Sequence, residues 1–136
     1  MADNLFKLRI VSPDREFYSG DVEMVEMKTT EGDIGVLKGH IPLTAVAAPG
    51  ALRIHEKDEV KEAVLIEGII RIMQDNVTIL AEDCQWPEEI DIVRAQEAKI
   101  RAERRLRGEE GEVNIDRASI ALRRSIARIE AAGKVK

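Results

Sequence analysis

The stretch "DNVTILAEDCQWPEEIDIVRAQEA", residues 75–98, changes its hydrophobic period at Trp86-Pro87. Before this point the residues alternate in period two, which is typical of half-buried strands. After it the composition shifts to Ala, Glu, Arg and Ile, and no glycine occurs until Gly108, which is typical of a helix. The sequence therefore predicts two domains of different class, a β-domain over residues 1–86 and a helical domain over residues 87–136.

Toward the N-terminus, short strands alternate with turns. In "LFKLRIV" the residues Phe6, Leu8 and Ile10 share one face, and Ser12-Pro13-Asp14 then turns the chain. Between Val22 and Met27 the alternation slips in phase, which predicts a β-bulge.

Two further pairs of strands are separated by polar turns. "ALRIH" and "EAVLIEG" flank Glu56 to Glu59, and "IIRIM" and "VTILA" flank Gln74 to Asn76. Strands this short and this closely spaced indicate a β-sandwich or a β-barrel.

Toward the C-terminus, two helices are predicted. Asp91 is the expected N-cap of the first helix, which runs to about Leu106 and is ended by Gly108 and Gly111. The second begins near residues 114–116. Small and apolar residues recur at helical spacing at Ala95, Ala98, Ala102 and Leu106, and at Ile115, Ala118, Leu122, Ser125, Ile129 and Ala132.

The short connection between the helices predicts an antiparallel helical hairpin. Seams of small residues bury little apolar area, so two interpretations stay open. One is an ordinary hairpin packed permanently on the β-domain. The other is an element that exchanges docking partners, because a small free-energy difference between two states is the requirement for a switch.

A glycine-rich stretch, "GDIGVLKGHIPL" at residues 32–43, resembles a phosphate-binding loop only superficially. Lys38 is followed by Gly39 and not by the hydroxyl residue that a Walker loop needs, and the glycine spacing does not fit a dinucleotide fingerprint. The remaining explanation for these glycines is backbone geometry, because glycine allows positive φ or a close approach of neighbouring chains. We therefore expect a conformational role within the β-domain.

Composition restricts the function classes. Cys84 is the single cysteine, and with only His40 and His55 beside it no metal-ligand spacing or catalytic constellation appears. No membrane-spanning or secretory stretch is apparent, so we expect a soluble, unsecreted chain in a reducing compartment. A nucleic-acid module is not expected, because the β-domain is acidic and aromatic residues are scarce.

The charge is unevenly distributed. Residues 1–86 carry a net charge of −7, whereas residues 113–136 carry +4. The basic segment indicates either an acidic partner surface or a solvated helix face.

Four segments together closely resemble the epsilon-subunit family of bacterial F-type ATP synthases. They are "EGDIGVLKGHIPL", "IEGIIRIMQDNVTILAED", "IDIVRAQEAKIRAERRL" and "ALRRSIARI". The resemblance covers essentially the whole chain. It implies an N-terminal flattened β-sandwich followed by a C-terminal antiparallel two-helix hairpin.

The resemblance also implies partners. Glu31, Asp33 and the loop to His40 would face the membrane rotor ring of c subunits, while other sandwich surface grips the gamma subunit. The hairpin would have a compact state on the sandwich and an extended state along gamma that inhibits ATP hydrolysis at the alpha/beta head. Contacts with the acidic C-terminal region of a beta subunit would come from Arg117, Arg123, Arg124 and Arg128.

Some members of this family bind ATP in the compact hairpin. The corresponding positions here are Ile90, Asp91, Arg94, Ala95, Arg124 and Arg128. Residues four apart on a helix share a face, so Arg124 and Arg128 can converge on phosphates. Gln85 departs from the glutamate of nucleotide-binding relatives. Asp91 either accepts from an adenine amine or caps its own helix, so ATP is at most a regulatory ligand and no cofactor is required.

The resemblance predicts a non-catalytic central-stalk subunit that couples the proton-driven rotor to ATP synthesis and restrains hydrolysis. Its expected place is the cytoplasmic side of the bacterial cell membrane, as a peripheral protein without membrane insertion. The alternative is a free-standing ATP-sensing module, which would bind ATP without associating with gamma.

Overall fold

The computed structural model describes residues 4–109, 111 and 114–133, and strands and helices occupy separate units. One compact unit is Met1–Gln85 and the other is Trp86–Lys136. Within the described residues, eight strands lie in the first unit and two α-helices lie in the second. The predicted fold class, a β-sandwich followed by a helical hairpin, is confirmed.

The strands form one hydrogen-bonded system that folds over itself into the sandwich. Their bounds are β1 Phe6–Ser12, β2 Arg15–Val22, β3 Met24–Thr29, β4 Gly32–Leu37, β5 Leu43–Ala47, β6 Gly50–His55, β7 Val60–Ile72 and β8 Asn76–Gln85. The order is β2-β1-β8-β7-β5-β3-β4, and β6 pairs with both β3 and β7. Only β1 and β8 are shown as a parallel pair; the other pairs are antiparallel.

The long strand β7 connects the two layers. Its first half, from Val60 to Leu65, pairs with β6, and its second half, from Gly68 to Ile72, pairs with β5. The predicted strand segments "EAVLIEG" and "IIRIM" are therefore parts of one strand.

The phase slip between Val22 and Met27 is not a bulge, and that prediction was wrong. β2 ends at Val22, Glu23 forms a bend whose N–H donates to the His55 carbonyl at 2.7 Å, and β3 begins at Met24. The period restarts because the chain leaves its pairing with β1 and joins β4 and β6. Register shifts occur instead in β1–β2 and in β7–β8.

The sandwich core consists of the inward side chains of alternating strand positions. Phe6, Leu8 and Ile10 are all buried, as the period-two pattern of β1 predicts. The largest fully buried side chains are mostly β-branched or leucine, among them Leu52, Ile54, Leu65, Ile70, Ile72 and Ile79.

The helical unit begins with a single 3-10 turn at Pro87–Glu89, where the Trp86 N–H donates to Glu89 Oε1 at 2.9 Å. Helix α1 spans Ile92–Leu106 and helix α2 spans Ile115–Gly133. Helix α2 contacts both α1 and the Pro87–Glu89 turn that precedes it. Since the connection is short and α2 reaches back to the start of α1, the helices are antiparallel.

Candidate functional site

The glycine-rich stretch spans strand β4 and the connection that follows it. Gly32 and Gly39 have φ values of 120° and 88°, which favour glycine, so the conformational role predicted for them is confirmed. Gly35 lies within β4, where an added Cβ would be 2.5 Å from the Met24 methyl carbon. This glycine therefore makes room for a side chain of the neighbouring strand.

The residues predicted to face a rotor ring lie at the two ends of β4. Glu31 lies in the turn before β4, where its N–H donates to the Thr29 hydroxyl at 3.1 Å, and Asp33 is the second residue of the strand. His40 follows the other end, and its Nδ1 lies 2.7 Å from the Ile41 carbonyl. A strand of this length covers roughly 20 Å. Because β4 ends the strand order, its outer edge pairs with no other strand of the described residues, and a partner lying along this free edge would reach both groups.

Sequence reasoning missed a group of exposed apolar residues around His40. Ile41 is 78% exposed, and the group also contains Leu37, Leu43 and Met73. The Gly39 N–H donates to the Gln74 carbonyl at 2.7 Å and so joins the β4–β5 connection to the β7–β8 turn. Leu37, Ile41 and Leu43 are close in the sequence but follow no periodic pattern, and Met73 joins them only through the β7–β8 turn. We call this group the end cluster.

A second exposed apolar group crosses the outer face of the sandwich. Val46 pairs with Ile69, Ile69 pairs with Leu80, and Leu80 pairs with Val11. The first three side chains are each about half exposed, at 52%, 49% and 56%. We call these four residues the face row. Exposed apolar groups of this kind mark protein contacts when they are contiguous.

In the helical unit, Asp91 caps α1. Its Oδ1 accepts from the Arg94 N–H at 3.0 Å, so the predicted N-cap is confirmed. Ile90 is half-buried before the cap, the Arg94 side chain is exposed, and Ala95 is buried in the helix. Asn114 caps α2 in the same way, accepting from the Arg117 N–H at 3.0 Å.

Three of the four arginines of α2 share one side of the helix. Arg117, Arg124 and Arg128 are seven and four residues apart, so they form a stripe, whereas Arg123 points about 100° away from Arg124. Arg117 and Arg123 are exposed, and Arg124 and Arg128 are half-buried. The antiparallel arrangement places Arg124 and Arg128 toward the end of the hairpin that also carries Arg94.

Helix α1 carries a similar stripe, of which the sequence analysis singled out only one member. Arg101 and Arg105 follow Arg94 at spacings of seven and four. Their spacing of seven and four residues from Arg94 would have been enough to predict them from the sequence. Gln85 belongs to the first unit, where it is the half-buried last residue of β8 and pairs with Val64.

The two side chains with clearly shifted pKa values, Tyr18 and Glu56, meet at the β6–β7 turn of the sandwich. The Tyr18 hydroxyl donates to Glu56, and the Lys61 ammonium lies 3.3 Å from the same carboxylate. Burial raises the pKa of the Tyr18 phenol, and the bond to Glu56 raises it further. The same hydrogen bond lowers the pKa of Glu56, with help from Lys61. This group ties the turn to β2, which is a structural role.

Among the described residues, no group of three or more His, Cys, Asp or Glu side chains could hold a metal ion. Within the same part of the chain, no helix is long and apolar enough to cross a membrane. What stands out are apolar surfaces on a β-sandwich and arginine stripes on a helical hairpin. These features define the class as a binding subunit of a larger assembly.

The chain belongs to the delta/epsilon chain family of ATP synthases. The family model for the "ATP synthase, Delta/Epsilon chain, beta-sandwich domain" matches residues 5–87, and that for the "long alpha-helix domain" matches residues 88–133. The family makes this chain a subunit of an ATP synthase and not an enzyme with its own active site, as predicted.

Similar proteins named ATP synthase epsilon chain match along nearly their whole length. That of Caldanaerobacter subterraneus subsp. tengcongensis is 45% identical, covering 97% of this chain and 96% of the relative. That of Ruminococcus albus is 37% identical, covering 96% and 98%. The resemblance found in the sequence is therefore confirmed.

Two solved structures share the fold. A chain of the Euglena gracilis mitochondrial ATP synthase has a TM-score of 0.79 at 23% identity, covering 97% of this chain and 83% of that one. A chain of the Tetrahymena thermophila enzyme, from its central stalk and c-ring, has a TM-score of 0.60 at 16% identity, covering 98% of each.

Proposed function

We propose that the chain is a central-stalk subunit of a proton-translocating F-type ATP synthase, which couples the rotor to the catalytic head. The observation that carries this proposal is the match of both domain models, in order, along nearly the whole chain. Its place is at the bacterial cell membrane, as a peripheral protein on the cytoplasmic side. A free-standing ATP sensor is the weaker alternative, because relatives named as ATP synthase subunits match along nearly their whole length.

The sandwich is the attachment domain in this proposal, and gamma is its partner. Its support is the apolar surface that the sandwich exposes. A monomeric protein exposes few contiguous apolar groups, whereas a subunit needs them for association. The test is co-purification of the full chain with the gamma subunit of its own organism. A chain that never associates with gamma would overturn the proposal.

The rotor-ring contact is proposed along the free edge of β4. Glu31 and Asp33 supply negative charge at one end, and His40 lies with the end cluster at the other. Apolar side chains contribute more to association than exposed charges do, because solvent and salt screen the charges. The end cluster would therefore supply most of the binding energy and Glu31 and Asp33 the orientation.

The hairpin restrains ATP hydrolysis in this proposal. Its extended state would bring the arginines of α2 to acidic residues of the alpha/beta head. Arg117 and Arg123 are already exposed in this structure. Carboxylates bound by several guanidinium groups form strong, directional hydrogen bonds, which suits a contact that must stop rotation.

ATP is proposed as a regulatory ligand of the compact hairpin, through Ile90, Asp91, Arg94, Ala95, Arg124 and Arg128. The support is that Arg94, Arg124 and Arg128 lie toward one end of the antiparallel pair. If ATP binds only this state, a concentration ten times its dissociation constant stabilises it by roughly 1.4 kcal/mol. That corresponds to about a tenfold shift in population.

A further inference from the structure

A buried threonine hydroxyl closes the turn between β3 and β4. Thr29, the last residue of β3, is only 7% exposed, although the three residues that follow it are exposed. Its Oγ1 donates to the Gly32 carbonyl at 2.6 Å and accepts from the Glu31 N–H at 3.1 Å. The hydroxyl therefore acts as donor and as acceptor at once, and it binds the backbone of two successive residues at the end of the turn.

The backbone conformation of this turn makes such a bridge useful. Thr29 pairs with Gly32 in the β3–β4 register, so the turn itself consists of Thr30 and Glu31. The two-residue turns that match the twist of a hairpin, types I′ and II′, require positive φ at one or both of these positions. Thr30 and Glu31 both have negative φ, and positive φ occurs instead at Gly32, at 120°. The turn lacks the preferred conformation, and the Thr29 hydroxyl supplies two hydrogen bonds that hold it closed.

The beginning of the turn is anchored to the neighbouring strand β5. The Thr30 N–H donates to the Val46 carbonyl at 2.9 Å, and Thr29 pairs with Ala47. The Glu31 N–H is held by the Thr29 hydroxyl, which belongs to the anchored strand. The position of β3 is therefore transmitted to Glu31 through this one side chain.

A turn that is held in one conformation favours association with a partner. Glu31 and Asp33, the acidic residues proposed to face the rotor ring, are both exposed, one in the turn and one just after it. Ordering a mobile loop on association costs free energy, and a turn that is already ordered avoids much of that cost. Fixing the backbone of the turn also fixes the spacing between the two carboxylates.

We propose that Thr29 is the positioning residue of the rotor-ring contact. Its hydroxyl holds the β3–β4 turn so that Glu31 and Asp33 meet the ring in a preformed arrangement, whereas Thr29 itself is buried and acts only through them. This inference rests on the proposed function for the identity of the partner. It adds a residue outside the contact surface and the two hydrogen bonds through which that residue acts.

The first arm of the experiment measures hydrogen exchange of backbone amides in the full chain. Thr29→Val keeps the branched side chain and removes the hydroxyl, so exchange of the Glu31 amide should become about fivefold faster, as expected for the loss of one hydrogen bond. The Thr30 amide, which is bound to the Val46 carbonyl, is the internal control and should keep its rate. Thr30→Val makes the same chemical change at an exposed position and should leave the Glu31 amide unchanged.

The second arm measures binding to the rotor ring. The complex of gamma with the full chain is titrated onto the ring purified in detergent, and gamma binding by each variant verifies that the sandwich is intact. We expect Thr29→Val to weaken ring binding about threefold, because exposed carboxylates contribute modestly and lose their fixed position. Thr29→Ser keeps the hydroxyl and should bind the ring as the unmodified chain does.

A double-mutant cycle separates positioning from a general loss of stability. In a chain that carries Glu31→Gln and Asp33→Asn, Thr29→Val should cause no further loss of ring binding, because all three changes then act on the same contact. A merely structural role would weaken ring binding equally in both backgrounds.

Four results would overturn the inference while leaving the proposed ring contact intact. They are unchanged exchange of the Glu31 amide in Thr29→Val, unchanged ring binding by that variant, an equal loss in the background without the two carboxylates, and failure of Thr29→Ser to restore binding. If the unmodified complex does not bind the ring, the proposed ring contact is overturned instead, and the role of Thr29 in it with it.

Discussion

Gly68 lies where β7 and β8 approach too closely for any side chain. An added Cβ would be 2.3 Å from the Leu80 carbonyl oxygen and 2.8 Å from the Ala81 Cα. The obstacle is backbone, which cannot rotate away as a flexible side chain can. The register between the two strands shifts beside this glycine, where β7 changes partners from β6 to β5.

We expect Gly68→Ala to destabilise the sandwich by about 2 kcal/mol or more, because it overpacks a fixed backbone. The measurement is chemical unfolding of the full chain. Gly39→Ala is the matched control, since Gly39 also has positive φ but has no atom within 4 Å of the added Cβ. It should cost only about 1 kcal/mol. If both variants lose the same free energy of unfolding, the close approach of β7 and β8 is not the reason why residue 68 is glycine.

Tyr18 and Glu56 make the stability of the sandwich depend on pH. The Tyr18 hydroxyl lowers the pKa of Glu56 below its ordinary value of 4.5. A carboxyl group with a lowered folded-state pKa stabilises the fold above its unfolded-state pKa, and this contribution is lost as pH falls through the folded-state value.

Tyr18→Phe should therefore cost about 1 kcal/mol at neutral pH. The difference from the unmodified chain should shrink as the pH falls below about 4.5. Thermal unfolding of both chains between pH 7 and pH 3 measures it. A difference that stays constant over that interval would contradict a role for the ionised Glu56.

The seam predicted for the helical hairpin agrees only in part with the residues that the hairpin buries. Ala95, Ala102, Ala118 and Ser125 are buried as the seam pattern indicates. Ile115 was expected in the seam but is 55% exposed at the first turn of α2. Ala127 and Ala131 are buried although the predicted seam omits them. A heptad pattern describes one contact line, and it does not fit a helix that buries a wider arc.

The sequence left two roles open for Asp91, N-cap of α1 and acceptor for ATP. The capping bond is present in the structure, whereas nucleotide binding is a proposal. We expect Asp91→Asn to keep the helix, because asparagine is also a good N-cap. It should nevertheless weaken ATP binding about tenfold, because a charged acceptor is replaced by a neutral one.

Asp91→Ala is the control for capping and should cost about 1 kcal/mol of helix stability. Calorimetry with ATP and circular dichroism measure the two effects. If Asp91→Asn binds ATP as the unmodified chain does, Asp91 acts only as a cap.

At the scale of the whole molecule, the hydrophobic period predicts the first strand and the boundary between the two domains. It does not predict which surfaces stay exposed. Alternation located β1 and its buried residues Phe6, Leu8 and Ile10, and the change of period at Trp86 separated strands from helices. The face row could not be predicted, because its members come from strands distant in the sequence and meet only through register. The free edge of β4 follows from strand order, which a single sequence does not reveal.

The basic segment of α2 tests the regulatory proposal in the assembled enzyme. Neutralising Arg123, Arg124 and Arg128 together to Gln should raise ATP hydrolysis severalfold, because several charge-assisted contacts are lost, each worth ~1.5 kcal/mol or more. Neutralising Lys28, Arg53 and Lys57 to Gln removes the same charge from the sandwich and should leave hydrolysis unchanged. Equal hydrolysis by the arginine variant and the unmodified enzyme would count against the contact.

The central claim is that the sandwich attaches the chain to gamma and that the hairpin restrains ATP hydrolysis. One truncation tests both parts. An ATP synthase assembled with the chain ended after Trp86 is compared with the enzyme that contains the full chain, in gamma binding and in ATP hydrolysis. We expect gamma binding to persist and hydrolysis to rise. Loss of gamma binding, or unchanged hydrolysis with the shortened chain in place, would contradict this division of roles.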